Sequence, residues 1–231
     1  VYRDLLLSIR RQRQMCIRVR LWLEALKVVI KIKDNRLGVL GHYYNGMLDV
    51  YTDLTKLSST FGTHIELIEM CELKRLWDNV SKDEITKKII EFRNVFNVVD
   101  KCEIFEIKRA ARTSVALDKL IKNHDLGSMA YYYEGQPGNE YENLVTSVIA
   151  GNTLLTGNNI PIAGECEVKN AQAMKILAEF GAGGSFSEFY LMDFEEDIVL
   201  LGHDGPAHHA IAQEKVKLVP LPLYHGKPVK G

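Results

Sequence analysis

Between Arg36 and Gly181 the chain switches repeatedly between two hydrophobic periods, and this alternation constrains the fold more than any other feature. Arg36–Gly41 (RLGVLG) is a short apolar run ending in glycine, the pattern of a buried strand. Met47–Phe61 has helical spacing and stops at Gly62. His64–Met70 alternates as a strand. Ser81-Lys-Asp-Glu84 is a capping box that opens a helix to about Val95. Glu103–His124 reads as a long helix, Ser128–Tyr133 as a strand, Tyr141–Leu155 as a helix and Ile160–Ala163 as a strand. Val168–Phe180 closes the series as a helix. Strands alternating with helices predict βαβ units: an α/β fold with a Rossmann-like parallel sheet and flanking helices.

The pattern changes at Ala182-Gly183-Gly184. Ser185–Phe194 and Asp197–His203 read as two strands around the acidic turn Glu195-Glu196-Asp197, and Lys217–Leu223 as a further apolar run. No helical pattern follows. The expectation is a central α/β domain over 36–182, then the start of a C-terminal β domain over 183–231, truncated at its end.

The other end is compositionally odd. Residues 1–20 contain six arginines and no lysine, in a chain with 29 lysines and arginines together. A basic arm, a transit-like extension and a stretch foreign to the protein all fit this composition. The run Arg10-Arg-Gln-Arg-Gln-Met-Cys-Ile-Arg18 looks like translated adapter sequence, so 1–20 is expected to be a non-native extension and is set aside. Leu21–Lys33 reads as the end of a helix.

A formal net charge of -1 argues against nucleic acid as partner. The four cysteines, Cys16, Cys71, Cys102 and Cys166, show no CxxC pair, which favours a reducing, cytoplasmic compartment. No apolar run reaches the ~18 residues of a membrane span.

Three residues stand out for chemistry. Glu165 lies just past a predicted strand and before a helix, where open α/β sheets bind ligands; the alternative is a surface loop whose acids favour a helix N-terminus. Its neighbours Glu167 and Lys169 flank it. Glu188 sits among Phe186, Phe189 and Tyr190, and either faces water or needs a partner. His203 ends an apolar strand and is either an acid/base group, a metal ligand or a capped strand end. Two carboxylates and one imidazole suit Mn²⁺, Mg²⁺ or Co²⁺ rather than a thiolate zinc site. His208-His209 point to opposite faces if on a strand, which disfavours a shared ion. No Walker, GxGxxG, GxSxG or HExxH pattern occurs.

Five stretches together resemble the L-arabinose/L-fucose isomerase family, in its arabinose-isomerase-like branch. They are Gly41–Tyr51 (GHYYNGMLDVY), Tyr131–Gly138 (YYYEGQPG), Ala163–Asn170 (AGECEVKN), Gly183–Tyr190 (GGSFSEFY) and Gly202–Gly205 (GHDG). The resemblance runs from about residue 22 to 231. It implies a metal-dependent aldose–ketose isomerase, an intramolecular oxidoreductase, working through a cis-enediol and usually Mn²⁺. Glu165 and Glu188 match metal-binding glutamates that also form the acid/base pair, and His203 matches a metal-binding histidine. Tyr133 and Met47 fall in matching stretches as substrate contacts. The resemblance further implies a small sugar substrate and a homo-oligomer, trimer or hexamer. It also implies that 21–35 ends a preceding α/β domain that is mostly missing, and that a fourth ligand lies beyond residue 231. The chain is then a fragment. A non-catalytic sugar-binding α/β module is the alternative; it would keep the aromatic residues without needing both glutamates.

Overall fold

The computed structural model describes residues 2–220 except Pro137, together with 223–224 and 227–228. It opens with α1 (Tyr2–Lys33), a continuous helix that does not break at residue 20. From about Leu21 on, α1 is anchored by few side chains, with Val28 and Ile32 buried. Then come β1 (Arg36–Gly41), α2 (Leu54–Phe61), β2 (His64–Ile68), α3 (Met70–Asp78), α4 (Lys82–Val95) and β3 (Asn97–Val98). Next are α5 (Ile104–His124), β4 (Ser128–Tyr132), α6 (Glu142–Val145), α7 (Ile149–Gly157), β5 (Ile162–Ala163) and α8 (Val168–Glu179). Finally come β6 (Glu188–Asp193), β7 (Ile198–Gly202), β8 (Lys217–Leu218), β9 (Leu223–Tyr224) and β10 (Lys227–Pro228).

The central sheet has the order β2-β1-β4-β5 and every pairing in it is parallel, as the alternation predicts. Val39 is in register with Leu67 on one side and Ala130 on the other. Side chains of period two divide between two faces. Leu40, Met129 and Tyr131 pack with Leu73, Leu117 and Leu120 from α3 and α5. Leu37, Val39, Ala130 and Tyr132 pack with Val168, Ala171 and Met174 from α8. Each leucine, valine or methionine among them contributes roughly 1.5–3 kcal/mol when fully buried. Strand β4, buried at all five positions, is the centre of both layers.

Several expectations are corrected. The strand read as His64–Met70 ends at Ile68, and Met70 opens α3, which the sequence reading missed. The single helix expected over Met47–Phe61 is a 3-10 turn (Leu48–Val50) followed by α2, because the Asp53 side chain accepts from Lys56 N at 2.9 Å and starts a new helix there. The helix expected over Tyr141–Leu155 divides into α6 and α7. The predicted capping box is present: the Ser81 and Glu84 side chains each accept from the other residue's backbone N–H.

The C-terminal part returns to the sheet body. β6 and β7 form an antiparallel hairpin whose side chains are largely exposed on both faces. Beyond it, Ala207 N donates to Thr153 Oγ1 of α7 at 3.1 Å. Further on, β8 pairs in parallel with β3. No helix among the described residues is long and apolar enough to cross a membrane.

Candidate metal centre

The carboxyl ends of the central strands carry the loops that build the site. Gly41 ends β1 at a φ of 93°, and a Cβ there would lie 1.9 Å from the Tyr132 carbonyl oxygen, so only glycine fits. His42 N donates to that same carbonyl at 3.0 Å, which turns the chain out of the sheet into the 42–52 loop.

Glu165 sits in the tight link between β5 and α8. Gly164 precedes it, and a Cβ at Gly164 would lie 3.1 and 3.3 Å from two ring carbons of Phe186. Glu165 and Cys166 both adopt left-handed backbone, with φ of 56° and 58°. Non-glycine residues rarely do so, and the surroundings must hold them there at a cost of about 1–3 kcal/mol each. Cys166 N donates to Tyr131 O and Tyr44 N donates to Glu165 O, each at 3.2 Å. The Cys166 side chain is fully enclosed, and burial pushes its thiol up to about 12. It is therefore a neutral packing group, not a thiolate ligand. Glu167 caps α8, accepting from Lys169 N at 3.2 Å.

The hairpin register supplies the other two side chains. Glu188, the first residue of β6, is paired with Gly202, the last of β7, so His203 emerges beside Glu188. The His203 ring stands edge-on to buried Phe186, with centroids 4.7 Å apart. His203 Nδ1 lies 2.6 Å from the Asp204 carbonyl oxygen. A carbonyl only accepts, so this bond places the proton on Nδ1 and leaves the Nε2 lone pair free. That Nε2 faces Glu165 Oε1 at 3.9 Å.

Glu165, Glu188 and His203 thus converge: one donor atom from each lies within 4.8 Å of the others. Burial raises the Glu165 carboxyl to about 7, helped by the Glu188 carboxyl facing it and, less, by Asp49 and Glu167. Glu165 Oε2 is enclosed and has no hydrogen-bond partner. Two half-buried carboxylates, an oxygen without a donor and an imidazole with a free lone pair form a donor set that fits a divalent cation. The side chain of His203 is oriented through its second nitrogen, the arrangement common to metal-bound histidines.

Other candidates lie elsewhere. Tyr133 lies between His42, whose ring is tilted to it, and Tyr141, which meets it edge-on, 5.5 Å from each, in a cleft of about 510 Å³ at the ends of β1 and β2. Met47 is half-buried on the 42–52 loop, its N–H directed to Tyr44 O. No hydrogen bond, ion pair or ring contact among the described residues joins Tyr133 or Met47 to Glu165, Glu188 or His203. His208 N donates to Ser185 Oγ at 2.8 Å, and the His209 ring packs against Phe96. Neither histidine belongs to the convergent group. Sequence reasoning missed Asp49, whose charge reaches Glu165. The signal was available: the 42–52 loop leaves the sheet at the same end as Glu165.

Compared with known proteins, the chain matches no protein-family profile and no curated sequence.

Proposed function

We propose that this protein is a metal-dependent aldose–ketose isomerase acting on a small sugar, with Glu165, Glu188 and His203 as the ligands of one divalent ion, Mn²⁺ foremost. The observation that supports this most is the convergence of those three side chains from two separate segments. The resemblance of the same segments to L-arabinose/L-fucose isomerases supports the choice of reaction. A divalent ion at such a site polarises a sugar carbonyl and the hydroxyl beside it.

The chain's own groups then move the protons. A carboxylate takes the proton from the carbon next to the carbonyl as the carbonyl oxygen is protonated, leaving a cis-enediol. Return of a proton to the neighbouring carbon, with loss of the proton from the hydroxyl on the first carbon, forms the new carbonyl there and gives the isomer. A carboxylate of this pair can serve as the base and, once protonated, as the acid. Positioned carboxyl groups contribute roughly 10²–10⁴-fold in such steps. In this reading the protein works in the cytoplasm as a homo-oligomer.

The test is exchange in heavy water. With Mn²⁺ and an aldopentose or 6-deoxyaldose in D₂O, proton NMR should show deuterium entering at the carbon beside the carbonyl, together with ketose. Glu165→Gln and Glu188→Gln should each abolish both signals. Sugar binding with no exchange for any aldose tried would refute the isomerase and favour a binding module.

A further inference from the structure

Lys169 occupies an odd place. It stands in the first turn of α8, where the helix macrodipole disfavours a cation. It lies 3.8 Å from Glu167 Oε1, but its ammonium is spent on a bare main-chain oxygen: Nζ donates to Asp49 O at 2.5 Å. Fixing a lysine side chain costs conformational entropy, which the hydrogen bond to Asp49 O and the Glu167 carboxylate offset. The side chain is half exposed, so the bond is not forced by burial. Its effect is to join two segments far apart in sequence, the 3-10 turn Leu48–Val50 and the start of α8.

The same two segments meet again at the site. Tyr44 N, at the beginning of the loop, donates to the carbonyl of Glu165 itself. Around these two ties the loop is folded on itself by Val50 N to Met47 O, by Tyr43 Oη to Thr52 O and by the Tyr43–Tyr51 ring contact. The loop is therefore a compact unit, and Lys169 grips its far end. The Glu165 backbone is left-handed and must be held by its neighbours.

We propose that Lys169 is a positioning residue for the metal centre: by clasping the Asp49 carbonyl it seats the 42–52 loop on Glu165 and keeps that carboxyl aimed at Glu188 and His203. The inference rests on the metal-centre reading above. Residues that orient ligands without touching the ion typically change metal affinity by 10–100-fold.

The experiment uses the whole chain, as wild type, Lys169→Met and Lys169→Arg. Two quantities are read: Mn²⁺ affinity by calorimetry, and metal-free amide hydrogen exchange at Tyr44 and Cys166. Lys169→Met keeps the stem and removes the donor. It should weaken Mn²⁺ binding about tenfold and speed exchange at both amides, with the melting temperature of the metal-free protein preserved. Lys169→Arg, which can still reach a carbonyl, should restore both quantities. Unchanged exchange and affinity in Lys169→Met would overturn the proposal. So would a loss that Lys169→Arg fails to restore while melting stays normal. If wild type binds no Mn²⁺ yet Lys169→Met still speeds exchange at Tyr44 and Cys166, the clasp stands and the metal reading fails.

Discussion

The carboxyl pair gives the sharpest prediction, and Glu188→Gln is the perturbation. In the metal-free protein Glu165 is held at about 7, well above 4.5. Burial is the larger cause and the facing Glu188 carboxyl the next. Glutamine keeps the shape of Glu188 and removes its charge. The Glu165 midpoint should therefore fall below 7 but stay above 4.5, since the burial remains. The assay is a carbon-detected NMR titration of ¹³C-glutamate-labelled protein, with the Glu165 signal assigned from Glu165→Gln. The sign for stability follows. A carboxyl raised on folding contributes stability that is fully present below about pH 4.5 and is lost as pH rises through about 7. An ion reverses this, because it binds the carboxylate and must displace the proton. A group titrating near 7 is ~90% protonated at pH 6 and ~10% at pH 8, so its share of Mn²⁺ affinity should fall about tenfold between pH 8 and pH 6. A Glu165 midpoint near 4.5 in wild type, or one that stays at about 7 in Glu188→Gln, refutes the reasoning.

Other outcomes follow from the same geometry. Mn²⁺ at a hundred times its Kd should stabilise the native state by about 2.7 kcal/mol, roughly 5–10 °C in a chain of this length, and His203→Ala should abolish the rise in a thermal melt. Gly164→Val should push Phe186 off the His203 ring, weakening Mn²⁺ about tenfold by calorimetry and costing about 1–3 kcal/mol of stability in urea. Ser81→Ala removes half of the capping box and should cost about 1 kcal/mol by urea denaturation at pH 7. Lys119, then Ser81, hold the Glu84 carboxyl down to about 2, so its contribution is present above 4.5 and lost as pH falls through about 2. The cost of Ser81→Ala should shrink accordingly in acid.

The parallel sheet was legible because β1 and β4 are apolar and buried on both sides, β2 alternates, and the helices carry clear signals, a start at Ser81 and a stop at Gly62. The site was legible in part. Glu165 follows from its place after a strand, whereas its nearness to Glu188 and His203 depends on a hairpin register and a return path that no local pattern encodes. Helix α3 escaped because Glu69 caps it without a side-chain bond, and the alternation of β2 runs on into Met70. The pairing of β3 with β8 spans two residues on each side and joins positions 97 and 217, too short and too distant to leave a period in the sequence. The bond from Lys169 goes to a main-chain carbonyl, which every residue has.

That β3–β8 pairing bears on the order of assembly. In the central sheet Arg36 pairs with His64 and Met129 with Ile162, while Leu37 pairs with the more distant Ser128. The hairpin bearing Glu188 and His203 follows Glu165 closely in sequence and is anchored at Phe186, which packs on Gly164 and His203, whereas the pairing of Asn97 with Lys217 closes a far longer loop. Long loops form slowly, and contacts of high sequence separation lag behind local ones. During refolding Glu165, Glu188 and His203 can therefore gather as the α/β core forms, and the β3–β8 tie is the late event.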